Sequence, residues 1–162
     1  MNISWKKSEC HAHMVLDGKN FRAALERHEK CPDEIFIRET LEAYREAGIT
    51  YIRDGGDNEW TSVRARELAP EYGIVYRTPL APLCKAGHYG AFIGKKYENI
   101  REYAELVGQA RREGADFIKI MISGLMDFDR FGVLSEEPLS AEEIRELIYI
   151  AHEEGFSVMA HA

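Results

Sequence analysis

Cysteine is scarce. The three residues Cys10, Cys31 and Cys84 stand far apart in 162. None belongs to a CxxC pair, which argues against a cysteine-built zinc site. The odd, scattered set makes no disulfide framework, so reduced thiols and a cytoplasmic location are expected. Excess positive charge is also absent. Lys and Arg number 21 against 28 Asp and Glu, a formal net charge of -7. Nucleic acid needs a basic face, so it is not the expected partner, and neither is an anionic membrane. Long apolar runs are missing too. No segment approaches the ~20 residues that cross a bilayer, and MNISWKKSEC lacks the apolar stretch of a signal peptide. No low-complexity or charge-block linker divides the chain.

What is present is an ordinary globular composition, 45% hydrophobic and 30% charged, enough for one domain with a sizeable core. Short apolar runs alternate with longer amphipathic ones. Strands are predicted at 8–15, 49–54, 74–79, 116–122 and 157–161. Helices are predicted at 20–30, 34–47, 58–72 (capped by Asn58), 98–113 and 140–154, the last opening on Ser140 with Glu143 in capping-box spacing. Four helices run through glycine straight into a strand, in AGIT, YGIV, EGAD and EGFS, where glycine supplies the left-handed turn. Alternating strands and helices predict an α/β fold with a parallel sheet. Two architectures fit: a complete five-stranded doubly wound domain of ~150 residues, or part of a (β/α)8 barrel, which needs ~250. Residues 81–97 and 123–139 are long connections leaving strand ends, where active-site loops of such folds sit.

Three features carry chemistry. His11 and His13 are two apart on a predicted strand and so share a face, as a metal needs from two imidazoles. Glu9 shares that face as a candidate acceptor for one ring. In DFIKIMIS, Ile118, Ile120 and Ile122 form one apolar face, and Phe117, Lys119, Met121 and Ser123 the other. A lysine there is either paired, drawn toward the strand end, or held neutral by burial. A neutral amine reacts with carbon dioxide to a carbamate, whose two oxygens bridge metal ions about 3.5–4 Å apart. In SVMAHA, His161 ends its strand on the face of Ser157 and Met159.

Together these segments resemble the amidohydrolase superfamily. ECHAHMVLDG is similar to its strand-one signature, and GITYIRDGGDN to its second-strand segment, here with Arg53-Asp54-Gly55-Gly56. GADFIKIMISG resembles the segment that supplies a carboxylated lysine in binuclear members, and points to the prolidase-like and imidazolonepropionase-like branch. GFSVMAHA resembles the fifth-strand segment with a metal-binding histidine. The resemblance implies that residues 1–162 are the N-terminal part of a metal-dependent hydrolase barrel, covering roughly its first five strands. It implies metal ligation by His11, His13, Lys119 and His161, two divalent ions (zinc, or manganese or iron), a carbamate on Lys119, and a metal-bound hydroxide that attacks an amide or cyclic amide. The family's sixth-strand histidine and general-base aspartate find no match, so no catalytic base is assigned.

His88 and Tyr89 are candidate substrate contacts; Asp127, Asp129 and Arg130 are weaker ones. Asp54 is a candidate for holding the mouth together through hydrogen bonds or ion pairing, in a structural or a catalytic role. The partner expected is a small-molecule substrate, with a second copy or a missing C-terminal half completing the barrel. The alternatives are a non-enzymatic five-stranded α/β binding or assembly module, and a catalytically dead half-barrel.

Overall fold

The computed structural model describes residues 6–127 and 129–162. Its strands pair only in parallel, apart from one isolated antiparallel bridge, Met126 with Leu134. The chain divides into two compact units, Met1–Leu80 and Ala81–Ala162.

In the first unit, β1 (Lys7–Ala12), β2 (Ile49–Asp54) and β3 (Val75–Arg77) form a sheet in the order β1-β2-β3. Helices α1 (Phe21–His28), α2 (Glu34–Glu46) and α3 (Thr61–Leu68) lie between them in sequence, and a 3-10 turn, Ala69–Tyr72, leads into β3. Ile37 and Leu41 of α2 and Ala65 and Leu68 of α3 share one core with Ile52 and Tyr76, as the 3.6-residue spacing predicts. The predicted strand 8–15 is shorter than expected: β1 ends at Ala12, with an irregular register against β2 between Glu9 and Ala12. Asn58 is not the cap of the next helix. Asp57 does that work, its carboxylate accepting from the backbone N–H groups of Glu59, Thr61 and Ser62. The helix starts later because Trp60 takes a left-handed φ of 62°. Burial, with the Asp54 charge adding to it, pushes the Asp57 carboxyl up to about 6 against the Ser62 and Thr61 hydrogen bonds.

In the second unit, β4 (Leu83–Lys85), β5 (Lys95–Tyr97), β6 (Ile118–Met121) and β7 (Val158–His161) form a sheet in the order β5-β4-β6-β7. Helices α4 (Ile100–Glu113) and α5 (Ala141–Glu153) bury Tyr103, Val107, Leu147 and Ala151 with Ile118 and Ile120. Strands β4 and β5 fall in the connection predicted as a loop; three residues each are too few to show a period of two. The predicted glycine turns are present: Gly48, Gly73, Gly114 and Gly155 all have φ between 69° and 82°. At Gly114, which ends α4, the left-handed turn lets its N–H reach back to the helix carbonyls.

The predicted capping box opens α5. Ser140 Oγ accepts from Glu143 N at 3.2 Å, and the Glu143 carboxylate accepts from Ser140 N at 3.0 Å. Ser140→Ala is expected to lower stability by about 1 kcal/mol, read as a lower urea midpoint at unchanged slope. The Lys85 ammonium, then the Ser140 contacts, hold the Glu143 carboxyl down at about 2. A depressed carboxyl stabilises fully above its ordinary value of 4.5 and loses that contribution as pH falls toward 2. Glu143→Gln should therefore flatten the acid limb of a stability–pH curve over that window.

Candidate metal site

In the first unit the site starts from the end of β1. His11 is exposed and His13 half-buried, and their ring centroids lie 5.4 Å apart at 54°. The pair predicted to share a strand face is thus side by side, although His13 stands just past the strand. Its Nδ1 lies 3.0 Å from the Gly56 carbonyl. A carbonyl only accepts, so Nδ1 donates, and a neutral ring then carries its lone pair on Nε2. Gly55 makes the room: a Cβ there would stand 2.3 Å from His13 Cε1 and 2.5 Å from Nε2. Gly55→Ala must turn the imidazole away. If His13 is a metal ligand, the variant's zinc affinity should lie about 10–100-fold below the parent's by calorimetric titration, with the unfolding midpoint nearly unchanged.

The buried Asp54 carboxylate fixes this corner. Its Oδ2 accepts from Met14 N at 2.7 Å and from the Tyr76 hydroxyl at 2.6 Å, while Oδ1 accepts from Gly56 N at 2.6 Å. One side chain thereby ties β1's end and β3 to the turn that holds His13. This hydrogen-bonding role was expected of Asp54; Met14, Gly56 and Tyr76 as its partners were not. Burial first, and the Asp54 charge next, keep the Tyr76 phenol protonated, well above its ordinary range. Glu9 departs from expectation. Its carboxylate accepts from the backbone N–H of His11 at 2.8 Å and orients no ring, because the irregular end of β1 turns that amide toward it.

In the second unit all four residues of β6 are buried. Ile118 and Ile120 pack into the helix-side core, so Lys119 and Met121 project from the opposite face. Lys119 is 0% exposed. Its neighbour across the ladder is Met159, and that of Met121 is His161, so the lysine and the histidine share this face. Tyr89 lies against His161, ring centroids 5.0 Å apart at 30°, and edge-on to Phe92 at 5.6 Å. Gly90 admits the loop to the sheet, since a Cβ there would meet Met121 Cγ at 2.6 Å. His88 is fixed at one end, its Nδ1 donating to the Glu137 carbonyl at 3.0 Å. Asp127, Asp129 and Arg130 close a local turn, with the Asp127 carboxylate accepting from the backbone N–H groups of the other two and from the Arg130 guanidinium.

Each unit thus presents two candidate donors, His11 with His13 and Lys119 with His161. Among the described residues no group of three or more His, Cys, Asp or Glu is arranged to hold a metal. Donor chemistry fits a divalent ion: imidazole nitrogens, one with its tautomer set by a carbonyl, and an amine whose full burial disfavours the ammonium unless it is paired. Among the described residues no helix is long and apolar enough to cross a membrane.

No family profile and no curated protein sequence matches the chain. Solved structures do, and they show its fold: the parallel β/α arrangement is shared with part of a prolidase, an ochratoxinase and an amidohydrolase. A prolidase complexed with N-methylphosphonate-L-proline is 22% identical with a TM-score of 0.65; the match covers 96% of this chain and 42% of that one. The Aspergillus niger (A. niger) ochratoxinase is 20% identical at a TM-score of 0.68, with coverage of 96% and 41%. An amidohydrolase is 22% identical at 0.65, covering 96% and 42%. The chain therefore spans about two fifths of the length of these structures.

Proposed function

We propose that this chain carries the His11, His13, Lys119 and His161 portion of a metal-dependent hydrolase acting on the carbon–nitrogen bond of an amide or cyclic amide. The observation that supports it most is Lys119: wholly buried, on the face away from the helices, in register with the strand that brings His161. The barrel fold shared with a prolidase, an ochratoxinase and an amidohydrolase supports the reaction class.

In this reading His11, His13 and His161 give imidazole nitrogens, and Lys119, as its carbamate, gives two oxygens. A divalent pair bound there supplies an activated water and polarises the scissile carbonyl. The protein's part is orientation. Gly56 sets the His13 tautomer, Gly55 leaves space for its ring, and Tyr89 steadies His161 by stacking while facing the substrate side. His88 is anchored from Nδ1 to the Glu137 carbonyl, which leaves its Nε2 edge for a polar substrate group. A second copy, or further chain, completes the barrel and brings the general base.

Two measurements test this. Calorimetric titration of the metal-stripped chain with zinc should show saturable binding that fails in the double variant His11→Ala, His13→Ala and again in His161→Ala. Equal binding by all three proteins would remove the proposal in favour of a non-enzymatic α/β module. Hydrolysis of amide and dipeptide substrates by the chain alone should stay at background, because this reading assigns the base to a further segment or copy. Metal-dependent turnover well above background would show that a base lies within these residues.

A further inference from the structure

The second unit holds a cavity of about 190 Å³ beyond the candidate metal site, walled by Lys85, Tyr97, Glu98, Ile100, Glu146 and Leu147, with Asn99 and Glu143. Tyr97 is only 4% exposed. Its ring packs edge-on to Tyr103 at 5.2 Å, yet its hydroxyl makes no hydrogen bond among the described residues, whereas Tyr103 donates to the Leu147 carbonyl at 3.1 Å. Burial chiefly, with the charge of Glu143 next, keeps the Tyr97 phenol protonated. The ring is buried, but the hydroxyl oxygen is not among the sealed, unpaired polar atoms of the described residues, so on a residue that lines the cavity it keeps hydrogen-bonding capacity open to a ligand.

Charge around the cavity decides what enters. Lys85 is paired with Glu143. Glu98 and Glu146 make no side-chain ion pair among the described residues, so three carboxylates stand around one ammonium. The helix starts nearby offer little to an anion. Glu102 N donates to Asn99 Oδ1, Glu98 N to the Glu102 carboxylate, and Glu143 N to Ser140 Oγ. Ile100 and Leu147 add an apolar wall. At about 30 Å³ per water-sized volume, the space suits a ligand of about six non-hydrogen atoms.

We infer that this cavity binds a small primary alkylammonium ion, with the Tyr97 hydroxyl and the Glu146 carboxylate accepting from its N–H groups and Ile100 and Leu147 covering its alkyl chain. The site is independent of the metal-site reading, since none of its residues belongs to that set.

The test is a nuclear magnetic resonance titration of the ¹⁵N-labelled chain with n-butylammonium chloride, at constant ionic strength, beside n-butanol and sodium butyrate. Saturable shifts centred on the amides of Lys85, Tyr97, Glu146 and Leu147 are expected, with the alcohol and the carboxylate at least about tenfold weaker. Tyr97→Phe keeps the ring on Tyr103 and Glu146→Gln changes a surface group, so both should retain native spectra. Each should weaken butylammonium at least about tenfold, the loss of one hydrogen bond to a charged group. The inference fails if no saturation is reached, if butyrate binds as well as butylammonium, or if either folded variant keeps full affinity.

Discussion

Replacing Lys119 with methionine is expected to abolish the proposed zinc binding and leave the fold standing. Methionine matches the length of the lysine stem and suits a face already holding Met121 and Met159. Keeping the side-chain volume holds the packing cost to less than about 1.5 kcal/mol, so the variant should remain folded, as its unfolding transition will show. Zinc affinity should fall at least about 100-fold, beyond the effect of losing an orienting partner. The carbamate gives a second readout: with ¹³C-bicarbonate the parent chain should show a carbamate carbon resonance that Lys119→Met lacks. A variant with undiminished zinc affinity, or a parent chain without the resonance, would take the lysine out of the site.

Removing the Asp54 carboxylate should have the largest effect on stability. Asp54→Ala strands three donors: Met14 N, Gly56 N and the Tyr76 hydroxyl. Each buried donor left unpaired costs about 1–3 kcal/mol, so a loss of about 3–5 kcal/mol is expected. That is a large part of the about 5–15 kcal/mol that holds a typical domain together. Tyr76→Phe removes only one of the three bonds and should cost about 1 kcal/mol. Denaturant unfolding of both variants checks the ratio. Equal, small losses would mean that the carboxylate does not bind β1, β3 and the Gly56 turn into one unit. Loss of Asp54 also frees Gly56, so the fraction of Asp54→Ala that remains folded should bind zinc more weakly than the parent.

Much of the fold was legible because it is local. Helices α2, α4 and α5 show an apolar stripe at helical spacing, and glycines with positive φ stand where helix turns into strand. The alternation in β6 showed which way Lys119 faces, since a strand side chain has only two directions. Other features were hidden for reasons of length or distance. LCK and KKY are too short to betray strands β4 and β5. The start of α3 depends on the left-handed Trp60, a backbone state that the residue type does not advertise. Glu9 was expected to reach a ring, but an irregular register at the end of β1 gave it an amide.

The sequence by itself determined the candidate donors: two imidazoles at and just past the end of β1, an amine inside β6 and an imidazole closing β7. Only the tertiary structure decided how those donors are held. Gly55 and Gly56 meet His13 more than 40 residues away in the chain, and Asp54 reaches Met14 across 40 and Tyr76 across 22. The reason is physical. Side-chain direction follows from neighbouring backbone dihedrals and so is written locally, whereas a hydrogen bond between distant segments exists only once packing has brought them together and excluded water.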